Sequence, residues 1–179
     1  YDLALAYGEL RRYDQALASL ARSLQLWPKY PEAYYARGDI FGELGDLEAA
    51  AFEYQRALQI KPTYAEVLNA MGSLARRQGR PAEAEQYFRR ALAVTDLAEA
   101  HLNLGLLLLA QSRHAEAEQA FRQVLISEPH SVTAWHGLGN ALRALGRSAE
   151  ALSCYRKALN ERLYARPRRL GRTPLPDRS

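Results

Sequence analysis

The chain has 179 residues, of which 48% are apolar and 25% are charged, a composition typical of an ordered protein domain. No stretch offers the roughly 18 uninterrupted apolar residues that a membrane-spanning helix needs, so no membrane span is expected. An intrinsically disordered chain is also excluded, because the apolar fraction is high and the net charge is only +4.

Five pairs of amphipathic helices are predicted in succession along residues 1–165. In each pair apolar residues recur at positions i, i+3, i+4 and i+7, and a short turn separates the two helices, so each pair must fold back antiparallel. The predicted pairs are 1–10 with 13–26, 31–44 with 47–60, 65–78 with 81–94, 98–111 with 114–127, and 132–145 with 148–163.

Small residues mark the predicted crossing of the two helices in four of these pairs. A larger side chain there would push the helices apart, and large aromatic residues one turn away are expected to fill the space between one pair and the next. The glycines are Gly38, Gly72, Gly105 and Gly139, the alanines Ala50, Ala84, Ala117 and Ala151, and the aromatic residues Tyr54, Phe88, Phe121 and Tyr155. Stacking of the pairs is therefore predicted to be obligatory.

The turns and junctions of these pairs carry their own signals. The glycines at 45, 79 and 146 suit the left-handed backbone conformation that ends a helix, and the prolines at 28, 62 and 129 stop the second helices of their pairs. Ser112 replaces the turn glycine of the fourth pair and Val124 replaces a small crossing residue, so this pair is expected to be more splayed. Residues 94–97 are one residue short, which predicts a tightened or slightly rotated junction.

The frame recurs every 34 residues, most clearly in Trp135, Leu138-Gly139, Leu142, Ala151 and Tyr155. It resembles the tetratricopeptide repeat (TPR) family, whose signature places a tryptophan, a Leu-Gly pair, an alanine and an aromatic residue at these spacings. The resemblance implies an all-α, right-handed α-solenoid over residues 1–165. Its repeats would be 1–30, 31–64, 65–97, 98–131 and 132–165, the first of them truncated, so a targeting segment upstream stays open.

Two residues depart from the pattern in the first two repeats. Arg37 stands where an apolar residue is expected, and its guanidinium is predicted to reach an acidic neighbour such as Asp14 or Asp46 while its stem packs. Trp27 directly precedes Pro28 and is expected to cover a helix end rather than to contact a ligand.

His101 and Cys154 are interpreted as structural residues. His101 occupies an aromatic core position and is expected to be a satisfied interior or boundary side chain. Cys154 is the single cysteine, so it cannot form an internal disulfide, and nothing indicates an oxidising compartment. A cytoplasmic location is therefore expected.

Basic and acidic residues are unevenly distributed. Residues 166–179 contain five arginines and one aspartate, so they account for the whole net charge, and residues 1–165 balance 19 basic with 19 acidic residues. Because the repeats are neutral, nucleic-acid binding by the repeats is not expected. The segment 166–179 is rich in proline and arginine and is predicted to be a disordered basic tail. A partner-binding arm, a solvated end and a truncated gene end all stay open for it.

No catalytic or cofactor motif is present. The sequence lacks the glycine-rich phosphate-binding loops, the H-E-x-x-H zinc motif and any cysteine pair. The four histidines, His101, His114, His130 and His136, never fall at i, i+4 on one helix face. No enzyme activity, cofactor or metal site is therefore expected.

The resemblance implies a concave groove lined by the first helix of each repeat. A partner peptide or helix would contact Tyr35, Asp39, Glu43, Asn69, Ser73, Arg76, Arg77, Leu102, Leu106, Leu109, His136, Asn140 and Arg143. Its carboxylates are expected near the arginines. The three leucines have two readings of equal weight: an exposed apolar patch for a partner, or packing against neighbouring first helices.

Two functions follow from the resemblance. The first is a scaffold that binds a partner protein or peptide, with its oligomeric state open. The alternative is the TPR arm of a larger protein, such as an O-linked sugar transferase or a bacterial envelope-assembly factor. Sugar-transferase arms carry an asparagine ladder at the sixth position of each first helix, where this chain has Ala36, Ala70, Asn103 and Gly137. Only one of the four fits, which disfavours that class.

Overall fold

The computed structural model describes residues 1–164, and this part of the chain is helical without any strand. Its ten helices are α1 (Asp2–Glu9), α2 (Tyr13–Leu26), α3 (Pro31–Leu44), α4 (Leu47–Ile60), α5 (Ala65–Arg77), α6 (Pro81–Val94), α7 (Ala98–Ala110), α8 (His114–Ser127), α9 (Val132–Ala144) and α10 (Ser148–Tyr164). All ten predicted helices are present, and their ends differ from the prediction by no more than one residue. The tail predicted at 166–179 lies outside the described residues.

The helices form five antiparallel pairs that stack along one direction. Each odd-numbered helix packs against the even-numbered helix that follows it, and the successive first helices α3, α5, α7 and α9 also contact one another. The core is accordingly a series of apolar clusters shared by neighbouring pairs, rather than one central cluster. This is the architecture of an α-solenoid. No described helix is long and apolar enough to cross a membrane.

Glycine in the first helix makes room for an aromatic ring of the second. A Cβ atom added to Gly72 would lie only 2.5 Å from Cε1 of Phe88, and Gly38 and Gly139 stand equally close to Tyr54 and Tyr155. The prediction of a close crossing at these glycines is confirmed. The group that approaches is the ring of the same pair.

Phe121 has a second close contact, because a Cβ atom added to Gly137 of the next pair would lie 2.4 Å from its ring. The same ring also meets Gly105 of its own pair. Aromatic side chains at this position therefore fill space both within a pair and, as predicted, between pairs.

The turns inside the pairs require a left-handed backbone. Gly45, Gly79 and Gly146 have φ angles of 84°, 73° and 79°, as predicted. Ser112 takes the same conformation with a φ angle of 61°, and Arg11 does so with 54°. Because a Cβ atom disfavours this region, these two turns carry local strain.

The crossing of the fourth pair and the junction at residues 94–97 differ from those of the other repeats. The fourth pair is looser at its crossing, since a Cβ atom on Gly105 would stand 2.9 Å from Phe121 Cε1, compared with 2.5 Å for Gly72 and Phe88. At the shortened junction Thr95 is extended, with a ψ angle of 140°. The residues that end the other second helices, such as Lys61 and Glu128, have ψ angles of 87° and 72°.

Two predicted side-chain placements are wrong. Arg37 does not reach Asp14 or Asp46; its Nη2 atom lies 2.5 Å from Oε1 of Glu53, a carboxylate that is only 4% exposed. The buried glutamate on the facing helix is the nearer anion. Trp27 is 63% exposed at the end of α2 and does not cover it.

His101 and Cys154 have the structural environments that were predicted. The Nε2 atom of half-buried His101 lies 2.8 Å from Oδ1 of Asp96. Cys154 is buried in the core beside α9, and this burial raises the pKa of its thiol.

An arginine ladder links the second helices of the last three repeats. Arg113 and Arg147 stand immediately before α8 and α10, and each binds a glutamate of the preceding second helix. Arg113 Nη1 lies 2.6 Å from Glu85 Oε2, and Arg147 Nη1 lies 2.6 Å from Glu118 Oε1. The hydrogen bond from Arg113 holds the pKa of Glu85 below its ordinary value.

Candidate functional site

The first helices of three successive repeats enclose a cleft of about 370 Å³, which we call the Asp39 cleft. Its lining comprises Tyr35, Asp39, Gly42, Glu43, Tyr54, Asn69, Ala70, Ser73, Leu74, Arg77 and Glu99. Six of the residues predicted to contact a partner therefore come together around one concavity, and they come from α3 and α5. Glu99, at the start of α7, closes its far side.

Asp39 and two tyrosines form one wall of the Asp39 cleft. The hydroxyl of Tyr54 donates a 2.7 Å hydrogen bond to Oδ1 of Asp39. The ring of Tyr35 lies with its centroid 6.1 Å from that of Tyr54 and 5.6 Å from that of Tyr64. The wall is thus a carboxylate framed by aromatic rings.

Burial raises the pKa of Asp39 to about 6, although hydrogen bonds from the Tyr54 and Tyr35 hydroxyls oppose the shift. The nearby carboxylates of Glu99 and Glu43 add to it. Burial, together with the charge of Asp39, also raises the pKa of Tyr35 and of Tyr54. These shifts all indicate negative potential in a partly dehydrated cleft.

Asn69 and Ser73 line the opposite side of the cleft, and Asn103 of α7 is hydrogen-bonded to both. Asn69 is only 3% exposed, and its Oδ1 accepts a 3.1 Å hydrogen bond from Nδ2 of Asn103. Asn103 Nδ2 also lies 3.4 Å from Oγ of Ser73. Arg77 Nη1 donates to the carbonyl of Gly42 at 3.1 Å, which ties α5 to α3 across the cleft.

The three leucines of α7 lie outside the Asp39 cleft. Leu102, Leu106 and Leu109 are half-buried and pack against the apolar cluster that α7 shares with α9. The packing alternative therefore describes them better than an exposed apolar patch does. Only part of the surface of each leucine is therefore exposed to a partner in the groove.

The remaining predicted residues lie farther along the stack. Tyr155 donates a 2.9 Å hydrogen bond from its hydroxyl to Oδ1 of Asn140, and the His136 ring lies 5.7 Å from the Tyr155 ring. Arg76 and Arg143 are exposed and do not line the Asp39 cleft. The thirteen residues thus form a surface along the stack. Six of them line the Asp39 cleft, three of these also border a cavity of about 340 Å³ beside α1 and α2, and His136 lines another beside α10.

The pairing of tyrosine with a groove-facing acceptor was not predicted from the sequence. Where the aromatic residue of the second helix is tyrosine, the ninth residue of the first helix is an acceptor, Asp39 or Asn140, and receives the phenol hydroxyl. Where it is phenylalanine, that residue is Ser73 or Leu106. Comparing the repeats with one another could have revealed this pattern.

The fold and its lined groove define a repeat scaffold built to present a concave surface. The chain belongs to the tetratricopeptide repeat family. The sequence model of this family, described as "Tetratricopeptide repeat", matches residues 1–65, 69–131 and 104–167. Proteins of this repeat class are typically non-catalytic and bind protein or peptide partners. No curated protein sequence matches the chain.

Three solved structures show the same fold. PilW, described as a widely conserved type IV pilus biogenesis factor, is 30% identical, with a TM-score of 0.81 over 90% of this chain and 76% of that one. PilF of Pseudomonas aeruginosa is 24% identical, with a TM-score of 0.84 over 89% and 73%. YrrB, described as a TPR protein with an unusual peptide-binding site, is 21% identical, with a TM-score of 0.70 over 92% and 85%.

Proposed function

We propose that the chain is a protein-interaction scaffold that holds a partner peptide or helix in its concave groove. The observation that carries this proposal is the Asp39 cleft, where polar and aromatic side chains from α3, α4, α5 and α7 converge around about 370 Å³ of open space. Packing does not require such groups, since the apolar clusters between the pairs hold the stack together. The peptide-binding site named for YrrB, a protein of the same fold, supports the proposal.

The test is to block the cleft and leave the rest of the surface unchanged. A partner is first isolated by pull-down on the immobilised chain, and its affinity is then measured for Ser73→Trp and for Gln86→Trp. Ser73 lines the Asp39 cleft, whereas Gln86 is exposed on the second helix α6. We expect Ser73→Trp to weaken binding and Gln86→Trp to leave it unchanged, with both variants showing native helix content. Equal binding by both variants would place the partner elsewhere.

A second candidate is a role as the repeat arm of a bacterial envelope-assembly factor. The observation that favours it is the likeness to PilW, at 30% identity over 90% of the chain. The groove would then bind a protein component of the machinery that assembles structures at the cell surface.

Domain replacement tests this second candidate. The matching repeats of Pseudomonas aeruginosa PilF are replaced by residues 1–164, and pili are counted on cells that produce the chimera. Pili in numbers close to those of cells with native PilF would support the candidate. A stable chimera without pili would reject it.

A further inference from the structure

We propose that the Asp39 cleft takes the cationic side chain, arginine or lysine, of a basic segment in a partner polypeptide. This inference rests on the proposed scaffold function and specifies the chemistry of the partner. The charges and contacts of the cleft support this chemistry.

Asp39 is a half-buried carboxylate without a cation. Within residues 1–164, no nitrogen of lysine, arginine or histidine is paired with it at 4.0 Å or less. The other well-buried carboxylates are paired: Glu53 with Arg37, and Glu118 with Arg122 and Arg147. Since burial of an unpaired charge is costly, Asp39 is a position that a cation from outside would stabilise.

The surroundings of Asp39 suit a cation sterically and electrostatically. Glu43 and Glu99 add negative charge at the edge of the cleft, and both raise the pKa of Asp39. The rings of Tyr35 and Tyr54 flank the carboxylate, and the faces of tyrosine rings attract ammonium and guanidinium groups. Arg77 is the one cationic residue among residues 1–164 that lines the cleft, and its Nη1 donates a hydrogen bond to the Gly42 carbonyl.

Asn69 lines the side of the cleft opposite Asp39. It is only 3% exposed, and its Oδ1 accepts a hydrogen bond from Nδ2 of Asn103, which fixes the orientation of the amide. A backbone carbonyl of the bound segment would accept from this amide while its basic side chain reaches Asp39.

The fifth repeat provides a matched reference within the same chain. Asn140 occupies the position of Asp39 and accepts the same kind of hydrogen bond, from Tyr155. Asp39→Asn therefore keeps the acceptor for Tyr54 and removes only the charge. Gln86→Glu, at an exposed position of α6, adds a carboxylate outside the groove and controls for a charge change elsewhere on the molecule.

The experiment uses a random dodecapeptide library displayed on phage and selected on the full chain. Selected peptides are synthesised, and their affinities are measured for the native chain and for Asp39→Asn, Gln86→Glu and Ser73→Trp. We expect the peptides to share one arginine or lysine. Replacing it by citrulline or norleucine, or using Asp39→Asn, should each weaken binding about tenfold or more, as for a charge-assisted hydrogen bond.

Replacing the basic residue of the peptide and introducing Asp39→Asn together should weaken binding little more than either change alone, because both remove the same contact. Gln86→Glu should leave affinity within about twofold, since its charge lies outside the cleft. Affinity for the native chain should also fall below about pH 6 as Asp39 becomes protonated, and Asp39→Asn should show no such fall.

The outcomes separate the two proposals. Peptides that Ser73→Trp excludes, but that share no basic residue and bind Asp39→Asn like the native chain, would overturn the cation site and leave the scaffold function standing. Selection that yields no peptide sensitive to Ser73→Trp would overturn both. Circular dichroism and thermal melting of each variant establish that the comparison is made between folded proteins.

Discussion

Asp39 and Asn140 occupy the same position in two repeats and accept the same hydrogen bond from a tyrosine, yet one is charged and the other neutral. At the scale of single residues, this substitution within one chain shows that packing alone does not demand a carboxylate at position 39. Asp39 retains its charge at a cost in folding free energy, because its surroundings raise its pKa to about 6. Residues that weaken the fold locally in this way are candidates for binding roles.

We expect Asp39→Asn to alter the pH dependence of stability. The folded pKa of Asp39, about 6, lies above the ordinary value of 3.8, so the folded state binds more protons between about pH 4 and 6. The contribution of Asp39 to stability is therefore present below about pH 4 and is lost as the pH rises through 6. Besides Tyr54, the groups that shift this pKa are Tyr35, Glu99 and Glu43. Arg77 also lines the Asp39 cleft, and Tyr1, Glu9, Arg11 and Tyr13 line a neighbouring cavity that Asp39 borders.

Urea unfolding of both proteins between about pH 4 and 8 measures the effect. At pH 8 the free energy of unfolding of Asp39→Asn should exceed that of the native chain by roughly 2–3 kcal/mol, and at pH 4 the two should coincide. Asp14→Asn, at an exposed position of α2, is the matched control for the charge change. A constant difference between the native chain and Asp39→Asn at every pH would contradict the assignment.

Ser112→Gly should stabilise the fourth repeat. Ser112 holds a φ angle of 61° at a turn where the second, third and fifth repeats have glycine. Releasing the Cβ strain is worth roughly 1–2 kcal/mol, and the greater freedom of glycine in the unfolded chain offsets part of this. We expect a net gain of about 0.5–1 kcal/mol in thermal or urea unfolding. Gly79→Ser is the reverse substitution at the matching turn and should lose stability; a gain there would show that the φ angle is not the cause.

The sequence was sufficient to predict the backbone at this scale and insufficient for several side chains. The repeat phase places every helix and identifies the turn glycines, because both depend on local spacing. The partner of Arg37 depends on which anion faces it across the pair, and Glu53 is 16 residues away in the chain. Likewise, the spacing shows that Tyr35 and Asp39 face the groove but does not reveal that Tyr54 reaches them from the second helix.

At the scale of helices, each of the last four pairs has an aromatic ring of the second helix lying on a glycine of the first. The ring fills the space left by the missing side chain, so the two helices approach more closely than two larger residues would permit. The looser fourth pair keeps the same contact, which shows that modest splaying is tolerated. Helix α7 packs against α8 and against α9. Its leucines 102, 106 and 109 lie at the edge of the apolar cluster between these helices and are therefore only partly buried.

Gly72→Ala should therefore destabilise the third pair. Its new Cβ atom would stand 2.5 Å from Cε1 of Phe88, a ring fully buried in the core, so a helix or the ring must shift. We expect a loss of roughly 1–3 kcal/mol in the free energy of unfolding, measured in urea. Gly42→Ala is the control within a first helix, because its Cβ would meet no atom closer than 3.8 Å. That variant should be neutral or gain up to about 1 kcal/mol from helix propensity.

A second measurement isolates the cause. Phe88→Leu alone leaves space at the crossing, and combining it with Gly72→Ala should recover part of the loss, so the two changes are not additive. If the double variant loses the sum of the single losses, the ring is not the group that excludes the alanine.

At the scale of the whole molecule, the apolar clusters join each pair only to its neighbours. One cluster joins α1, α2 and α3, and the largest one joins helices from α5 to α10. The arginine ladder adds polar links between α6, α8 and α10 on the second-helix side. Stability should thus be distributed along the stack as contributions of single repeats and of their interfaces.

The position of a core truncation along this stack should decide how far unfolding spreads. Leu20 is fully buried in the first pair, and Phe88 is fully buried in the third, where its cluster extends to α10. Leu20→Ala and Phe88→Ala remove comparable apolar contacts, each costing roughly 2–5 kcal/mol in a core. In hydrogen–deuterium exchange followed by mass spectrometry, Leu20→Ala should speed exchange in α1 and α2 and leave α7 to α10 at native rates. Phe88→Ala should speed exchange from α5 through α8, because it weakens interfaces on both sides of α6. Uniformly faster exchange in both variants would instead show that the five pairs unfold as one cooperative unit, and the nearest-neighbour description would then be wrong.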